Sequence, residues 1–429
     1  MEKHRTKAPV ADPIFPSLTP ASSSQLLLRR SVLDTRLALR DFLLAAGLQE
    51  LRKAFEADRT LLCGPKGKVQ TDRRAYRHGH DVGELVLGGR KVRIAKPRAR
   101  SVDGCELELP HWRHFGQEDP LDERAQRQIL LGVSTRGYAD SLEALPIELP
   151  ERGTRRSSVS RRFVARTARA VEAFLSRSLG GVDFPVLQLD GVVLDKHLVL
   201  TAQGIDATGR KQVLGVAEGS SESEEVGKSL LQNLIGRGLV VERARLFVID
   251  GGKGVRKAIR SIFGTWALIQ RCQVHKMRNV LEHLPERQKA WVRAGIRRAW
   301  SAPTVGRARE QLRTLATQLR ADHPGASASI EEGLDETLTV IALGVVGSLH
   351  QTLRSTNPIE NMQGTIRRVT RNVKRWRDGS MVLRWVATAL MEAEKKFRRV
   401  KGYRDMPQLL AALDATVGVE ALDKKVSVA

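Results

Sequence analysis

The spacing of apolar residues along the chain changes several times, and each change predicts a different element. From Val32 to Phe55, Leu33, Leu37, Leu43, Leu44, Leu48 and Leu51 recur at helical spacing, which predicts a helix. Glu84-Leu85-Val86-Leu87 and Arg90-Lys91-Val92-Arg93-Ile94 instead flank Gly88-Gly89. Two glycines between strand-like runs predict a two-residue hairpin, because both turn positions need positive φ. Residues 121–178 return to helical spacing in two or three pieces, the last capped near Ser157-Ser158. Before all of these, Pro9, Pro13, Pro16 and Pro20 break any periodicity, so residues 1–30 are expected to be a flexible tail.

Residues 184–280 carry the clearest pattern. Strand-like runs at Phe184–Asp190, His197–Gly204 and Lys211–Val216 precede a helix expected to open on the capping box Ser221-Glu222-Ser223-Glu224 and to end near Gly236. Ala244–Ile249 and Ala267–Cys272 then read as strands, each followed by a helix: Gly254–Phe263 and Lys276–Leu284. Three strands in succession predict a meander, and the alternating remainder predicts parallel strands joined by helical crossovers. Residues 285–354 are helical in pattern. Asn357 is placed to cap, and Pro358 to open, a basic helix running to about Arg375, with another from Met381 to Arg399.

Charge then narrows the class. The 429 residues carry 72 Lys+Arg against 48 Asp+Glu, a formal net charge of +24. Such an excess repels itself in a folded chain and calls for a polyanionic partner. Aromatic residues are only 4%, which favours phosphate contact over base stacking. Basic residues concentrate at Arg90–Arg100, as a phosphate-tracking ribbon or a charge-protected edge strand. They concentrate again at residues 151–170 (seven Arg, one acid), where short and basic helices suggest a helix-turn-helix-like reader, and at 360–405 (13 Lys/Arg, five acids). Three scattered cysteines do not make a disulfide framework, and no membrane span or secretory leader is expected, so a cytoplasmic, nucleoid-associated protein is the default.

The candidate chemistry lies in three carboxylates. Asp190 and Asp250 each close a strand-like run, in Leu189-Asp190-Gly191 and Ile249-Asp250-Gly251. On neighbouring strands their repulsion would be costly without a cation between them. Hard divalent ions take such oxygen ligands and assist in-line phosphoryl displacement. Asp195, five residues on, would face the other way. Glu360 is the third candidate, although Asn357-x-x-Glu360 is nearly a capping box and gives it a structural job. Ile359, Met362, Ile366 and Val373 form an apolar stripe on its helix, and Glu360, Arg367, Arg371 and Lys374 follow one another on a second face. Cys272-x-x-His275 supplies only two ligands with no second pair nearby, so a structural zinc site is not expected.

These residues also carry a family resemblance. Leu189-Asp190-Gly191, Gly209-Arg210-Lys211-Gln212-Val213-Leu214-Gly215, Asp250-Gly251-Gly252-Lys253-Gly254, Arg271-Cys272-Gln273-Val274-His275-Lys276, Thr356-Asn357-Pro358-Ile359-Glu360-Asn361 and Phe397-Arg398-Arg399-Val400-Lys401-Gly402-Tyr403-Arg404 stand in an order that resembles the Mutator-type bacterial insertion-sequence transposases. The resemblance runs from about the hairpin to Arg404. It implies a DDE transposase with Asp190, Asp250 and Glu360 as catalytic and metal residues, and Mg²⁺ or Mn²⁺ as cofactor. It further implies recognition of terminal inverted repeats, and transfer of a 3′-hydroxyl to target DNA. Cys272 and His275 match a Cys-x-x-His element and are candidates for active-site support. Arg93, Arg161, Arg162, Lys253, Arg367, Arg371 and Lys374 are the candidate DNA contacts. A homodimer is expected, because two element ends must be held together.

The expected fold is α/β: a ribonuclease H-like core whose first and fourth strands are neighbours, interrupted by an all-helical insertion. The corresponding divisions are a tail (1–30), an N-terminal helical DNA-binding region (31–180), the first part of the core (181–284), the insertion (285–355), the final basic helices (356–405) and a C-terminal tail (406–429). Two other readings share these features: a catalytically silent DNA-binding protein derived from a transposase, and a related integrase or nuclease acting without inverted-repeat ends.

Overall fold

The computed structural model describes residues 46–68, 73–87, 89–117, 120–142, 151–219 and 221–426. The expected N-terminal tail, the start of the first predicted helix and Gly88 of the hairpin turn lie outside these residues. The chain divides into two compact units, one comprising residues up to Leu121 together with Asp140–Thr154, the other Asp122–Ala139 together with Arg155 onward. Among the described residues no helix is long and apolar enough to cross a membrane.

In the first unit, helix α1 (residues 46–63) precedes a hairpin of β1 (Ala75–Leu87) and β2 (Arg90–Ser101). Leu87 pairs with Arg90 and Gly89 has φ +84°, as a two-residue turn requires. Both strands run further than their hydrophobic cores suggested, with a register shift between Arg77 and His80. Short strands β3 (Glu106–Leu107) and β4 (Glu151–Arg152) pair with β2, and helix α2 (Pro110–Gln117) follows β3. Alternate β2 residues are buried, among them Val92, Ile94 and Ala99, and they share a core with Leu48, Phe55 and Leu109.

The second unit contains helices α3 (Pro120–Leu130, from Asp122) and α4 (Arg156–Ser176). Residues 131–155 separate them, not the short turn of a helix-turn-helix. Nor do Ser157 and Ser158 cap α4: Arg155 holds the cap position without a side-chain bond. Then come β5 (Val186–Leu194), β6 (His197–Ile205), β7 (Lys211–Gly219), α5 (Glu224–Gly236), β8 (Arg245–Ile249), α6 (Lys253–Phe263), β9 (Ala267–Arg271) and α7 (Gln273–Glu282). The sheet order is β7-β6-β5-β8-β9: the first three strands are antiparallel, and β8 is parallel to both β5 and β9. The first and fourth strands are therefore neighbours, as the element order predicted.

Helices α8 (Glu286–Trp300), α9 (Val305–Leu319), α10 (Pro324–Glu331), α11 (Thr339–Ala342) and α12 (Gly347–Leu353) follow. Helices α8 to α10 build a core of their own with α7 around Val280, Val292, Ile296, Leu312 and Leu315. The sheet is covered on both faces. Leu187, Leu189, Phe247 and Ile249 pack with Leu230, Leu234 and Ile259 of α5 and α6; Val186, Leu246 and Val248 pack with Val340, Leu349 and Leu353. Such double coverage explains why β8, Arg-Leu-Phe-Val-Ile, shows no alternation and is buried throughout.

The last helices are α13 (Asn357–Thr370), α14 (Gly379–Glu394) and α15 (Met406–Val426). Helix α13 stops five residues short of the expected Arg375, because Asn372 turns to donate to the Gly132 carbonyl and Arg371 packs against Gly132. Val373 is thus outside the helix, and Val369 completes the buried stripe with Ile359, Met362 and Ile366. Helix α14 likewise ends at Glu394 rather than Arg399; Glu394 accepts from the Val213 amide at 2.8 Å and pairs with Arg177 at 3.2 Å, while Trp385 stacks 4.6 Å from Phe163 of α4. Residues 406–426 are a helix, not a tail, anchored by Met406, Leu409 and Leu413 in the core beside Val186 and Leu246.

Candidate active site

The last parallel pair between β5 and β8 is Leu189↔Ile249, so Asp190 and Asp250 are the next residues on adjacent strands. Neighbouring strands are about 4.8 Å apart. Asp250 leaves the sheet there, as expected. Asp190 does not end its strand: β5 stays paired with β6 until Leu194↔His197, with Asp195 in the turn at φ +57°. Asp190 therefore sits mid-strand, at the point where its parallel neighbour departs and opens a gap in the sheet edge.

Asp190 is buried, and its Oδ1 accepts the Gly191 amide at 3.0 Å. Burial first, and then the negative charges of Asp250 and Glu360, push its carboxyl up to about 7 against the opposing effect of His275. Asp250 Oδ1 accepts the Gly252 amide at 2.9 Å, which folds the following loop back toward the strand end.

Helix α13 reaches this gap through two residues three positions apart. Gln363, buried, donates from Nε2 to Asp190 Oδ2 at 2.9 Å and to the Gly191 carbonyl at 3.3 Å. Glu360 lies on the same face one turn earlier. Its Oε1 accepts from the Thr356 hydroxyl at 2.8 Å and is 3.8 Å from His275 Nδ1. Thr356, not Asn357, is the N-cap residue, and Asn357 and Pro358 form the first turn. The capping job foreseen for Glu360 is thus a bond to the Thr356 side chain.

Cys272 follows β9 and holds the N-cap position of α7 without a side-chain cap bond; its amide donates to the Ile249 carbonyl at 2.7 Å, next to Asp250. Its buried sulfur accepts from both the amide and the hydroxyl of Thr356 at 3.4 Å. Burial raises this thiol, but hydrogen bonds from His275 and Thr356 outweigh it and the net shift is downward. His275 is pushed up to about 9, foremost by its bond to Cys272, then, against the effect of burial, by the charges of Cys272, Glu360 and Asp250.

Sequence reasoning missed three residues here. Glu222 was assigned to a capping box opened by Ser221, whereas the cap of α5 is Ser223, which accepts from the Val226 amide. That frees Glu222 to lie over Gly252, where an added Cβ would come within 2.2 Å of Oε1. Burial, then Asp250 and Asp190, raise Glu222 to about 7. The second is Gln363. The third is Arg271, whose guanidinium lies against Gly251 (φ +114°) and Gly333 (φ +63°) and donates to the Gly251 carbonyl at 3.3 Å and the Glu332 carbonyl at 3.1 Å. A usable signal existed in Asp250-Gly251-Gly252-Lys253-Gly254. Its glycines admit in turn Arg271, Glu222, and the backbone of residues 222–224, 2.4 Å from where a Gly254 Cβ would be.

The candidate DNA contacts belong to both units. Arg93, on β2, lies 3.7 Å from Glu84. On α4, Arg161 is exposed and Arg162 half-buried. Lys253 is exposed at the start of α6, three residues past Asp250, and Arg367 is exposed on α13. The expected stripe from Glu360 through Arg367, Arg371 and Lys374 breaks, because the helix ends at Thr370.

Asp190, Asp250 and Glu222 form a carboxylate group to which, among the described residues, no Lys or Arg is paired. Burial, and after it the neighbouring carboxylates, raise both Asp190 and Glu222, and an all-oxygen donor set of this kind could hold a hard divalent ion.

Comparison with known proteins gives the family. The sequence matches the family described as Transposase, Mutator family, over residues 24–400. It is 30% identical over 400 residues to the transposase for insertion sequence element ISRM5 of Rhizobium meliloti (strain 1021), covering 87% of this chain and 94% of that protein. It is 26% identical over 353 residues to the transposase for insertion sequence element IS256 in transposon Tn4001 of Staphylococcus aureus, covering 79% of this chain and 86% of that protein. With similarity over nearly the whole length of both the chain and its relatives, the chain belongs to the Mutator family of transposases, enzymes that cleave DNA and transfer its strands.

Proposed function

We propose that this chain is a DDE transposase with a ribonuclease H-like core, in which Asp190, Asp250 and Glu360 hold divalent metal and the α8–α12 helices are an insertion ahead of the glutamate. The observation that carries the reading is the convergence at the β5/β8 fork. The two aspartates follow the last parallel pair, and Gln363 docks the Glu360 helix onto Asp190. The oxygen donors and their charge deficit fit Mg²⁺ or Mn²⁺. Such ions, when bound, activate a water or a 3′-hydroxyl and stabilise the leaving oxygen of an in-line displacement.

The chain's own groups prepare that site. Gln363 fixes the orientation of Asp190, and Arg271 braces the Asp250 loop. Cys272 and His275 support Glu360 through Thr356, and His275 keeps a proton at the edge of the acidic group. Glu222 adds a fourth carboxylate on the Asp250 side. Exposed Lys253 and Arg367 contact DNA phosphates; Arg161, Arg162, Arg371 and Lys374 of the same unit, and Arg93 of the first unit, also serve DNA. The N-terminal region recognises terminal inverted repeats, and two copies of the chain hold paired element ends.

A strand-transfer assay with inverted-repeat DNA and Mg²⁺ tests this. The parent protein yields joined product, and Asp250→Ala loses it, at least about a thousandfold, while still binding the DNA. Persistent strand transfer by Asp250→Ala would overturn the assignment.

A further inference from the structure

Cys272, His275 and Glu360 offer a sulfur, a nitrogen and an oxygen atom that all lie within 4.8 Å of one another. Sequence alone gave two ligands; the fold supplies the third by bringing the first turn of α13 against that of α7. The Thr356 hydroxyl stands among the three, 3.4 Å from Cys272 Sγ, 3.4 Å from His275 Nδ1 and 2.8 Å from Glu360 Oε1. One hydroxyl proton cannot serve Cys272 Sγ and Glu360 Oε1 at once. Around a tetrahedral zinc ion, with Zn–N and Zn–O of about 2.0 Å and Zn–S of about 2.3 Å, such ligand atoms sit about 3.3–3.5 Å apart. His275 Nδ1 and Glu360 Oε1, at 3.8 Å, are already near that spacing.

We infer that Cys272, His275 and Glu360 form a second metal site, selective for thiophilic transition ions such as Zn²⁺ over Mg²⁺. The donor set argues for this selectivity, since a thiolate and an imidazole suit Zn²⁺ and Co²⁺ and are poor ligands for a hard ion. Side-chain exposures of 22% for His275 and 35% for Glu360 leave a path for an ion. Occupation draws Glu360 toward Cys272. On the reading of Glu360 as a catalytic carboxylate, it also takes that residue from the Asp190/Asp250 group, making zinc an inhibitor.

Binding is tested without DNA, by titrating the full chain with Co²⁺ in excess Mg²⁺. One equivalent should produce a sulfur-to-cobalt charge-transfer band that Zn²⁺ displaces. Cys272→Ser should abolish the band, and Asp250→Ala should keep it. Glu360→Gln, altering a partly exposed side chain, should weaken cobalt binding about tenfold or more even if the cysteine variant fails to fold. The inference falls if the parent shows no such band. It also falls if the band survives Cys272→Ser, which would point to Cys63 or Cys105, or vanishes with Asp250→Ala, which would place the ion at the aspartates. Failure of the DDE reading is detected separately, by strand transfer that persists in Asp250→Ala.

Discussion

The β5–β9 sheet and the β1–β4 sheet differ in how they meet solvent. Every residue of β8 is buried, whereas β2 alternates buried with exposed or half-exposed positions. A sheet covered on both faces offers water only its edges and strand ends. Chemistry must then gather where parallel strands finish, outside their carboxyl ends. That is where Asp190, Asp250 and Glu222 meet. The half-covered sheet has a free face along its length and lines it with charge: Arg98 and Arg100 share Glu106, and Arg93 lies near Glu84. One arrangement concentrates function at a point, and the other spreads it along a ribbon.

The sharpest way to break this comparison is to remove one large side chain from each sheet. Phe247 is fully buried in β8, 4.9 Å from Phe263. Phe247→Ala should cost about 3–5 kcal/mol, the loss of transfer energy plus an unfilled cavity. Tyr76 of β1 is 46% exposed, and Tyr76→Ala should stay within about 0.5 kcal/mol. Chemical denaturation of the two variants reads both values. Equal losses would mean that the sheets do not differ in coverage as described.

These differences also decide what the sequence disclosed. Asp250 was visible because it follows the unbroken apolar run Leu246–Ile249, which is how a doubly covered strand reads, and Asp190 because it follows a run broken only by the buried Gln188. That β5 continues past Asp190 was not visible, since Gly191–Leu194 is held by the antiparallel partner alone. The segment Ser221-Glu222-Ser223-Glu224 fits a helix cap in two registers. The choice between them rests on Gly254 admitting the 222–224 backbone, a contact from 30 residues away. Helix α15 was legible and overlooked: Met406, Leu409 and Leu413 already stand at helical spacing. Gln363 and Arg271 had no local mark, because their importance lies in what distant segments bring to them.

A smaller effect sharpens the account of the buried sheet's functional end. Gln363→Leu nearly conserves volume but removes the donor to Asp190 Oδ2. It should destabilise the chain by about 1–3 kcal/mol, the cost of leaving a buried acceptor without its partner. Strand transfer should also slow by about 10- to 100-fold, the usual penalty for losing a residue that orients a metal-binding side chain. Single-turnover rates measured where the variant is fully folded separate the two. An unchanged rate would show that α13 positions Glu360 without help from Gln363.

The smallest effect belongs to the exposed ribbon and is a matter of pH. Hydrogen bonds from Arg98 (2.8 Å) and Arg100 (3.3 Å) hold Glu106 at about 2, below the usual 4.5. A carboxylate depressed by folding stabilises fully above its unfolded value, and that contribution fades as pH falls through the folded one. The window here runs from about pH 4.5 down to about pH 2. Exposed pairs of this kind contribute only about 0.2–1 kcal/mol, because water screens them and ordering long side chains costs entropy. Glu106→Gln should therefore leave a slightly less stable hairpin with a flatter pH dependence in that window, and high salt should erase most of the difference. Amide exchange at Arg98 and Arg100 reports the hairpin by itself. A loss well above 1 kcal/mol would mean that Glu106 is shielded from water after all, and that the ribbon is covered along its length like the sheet that carries the aspartates.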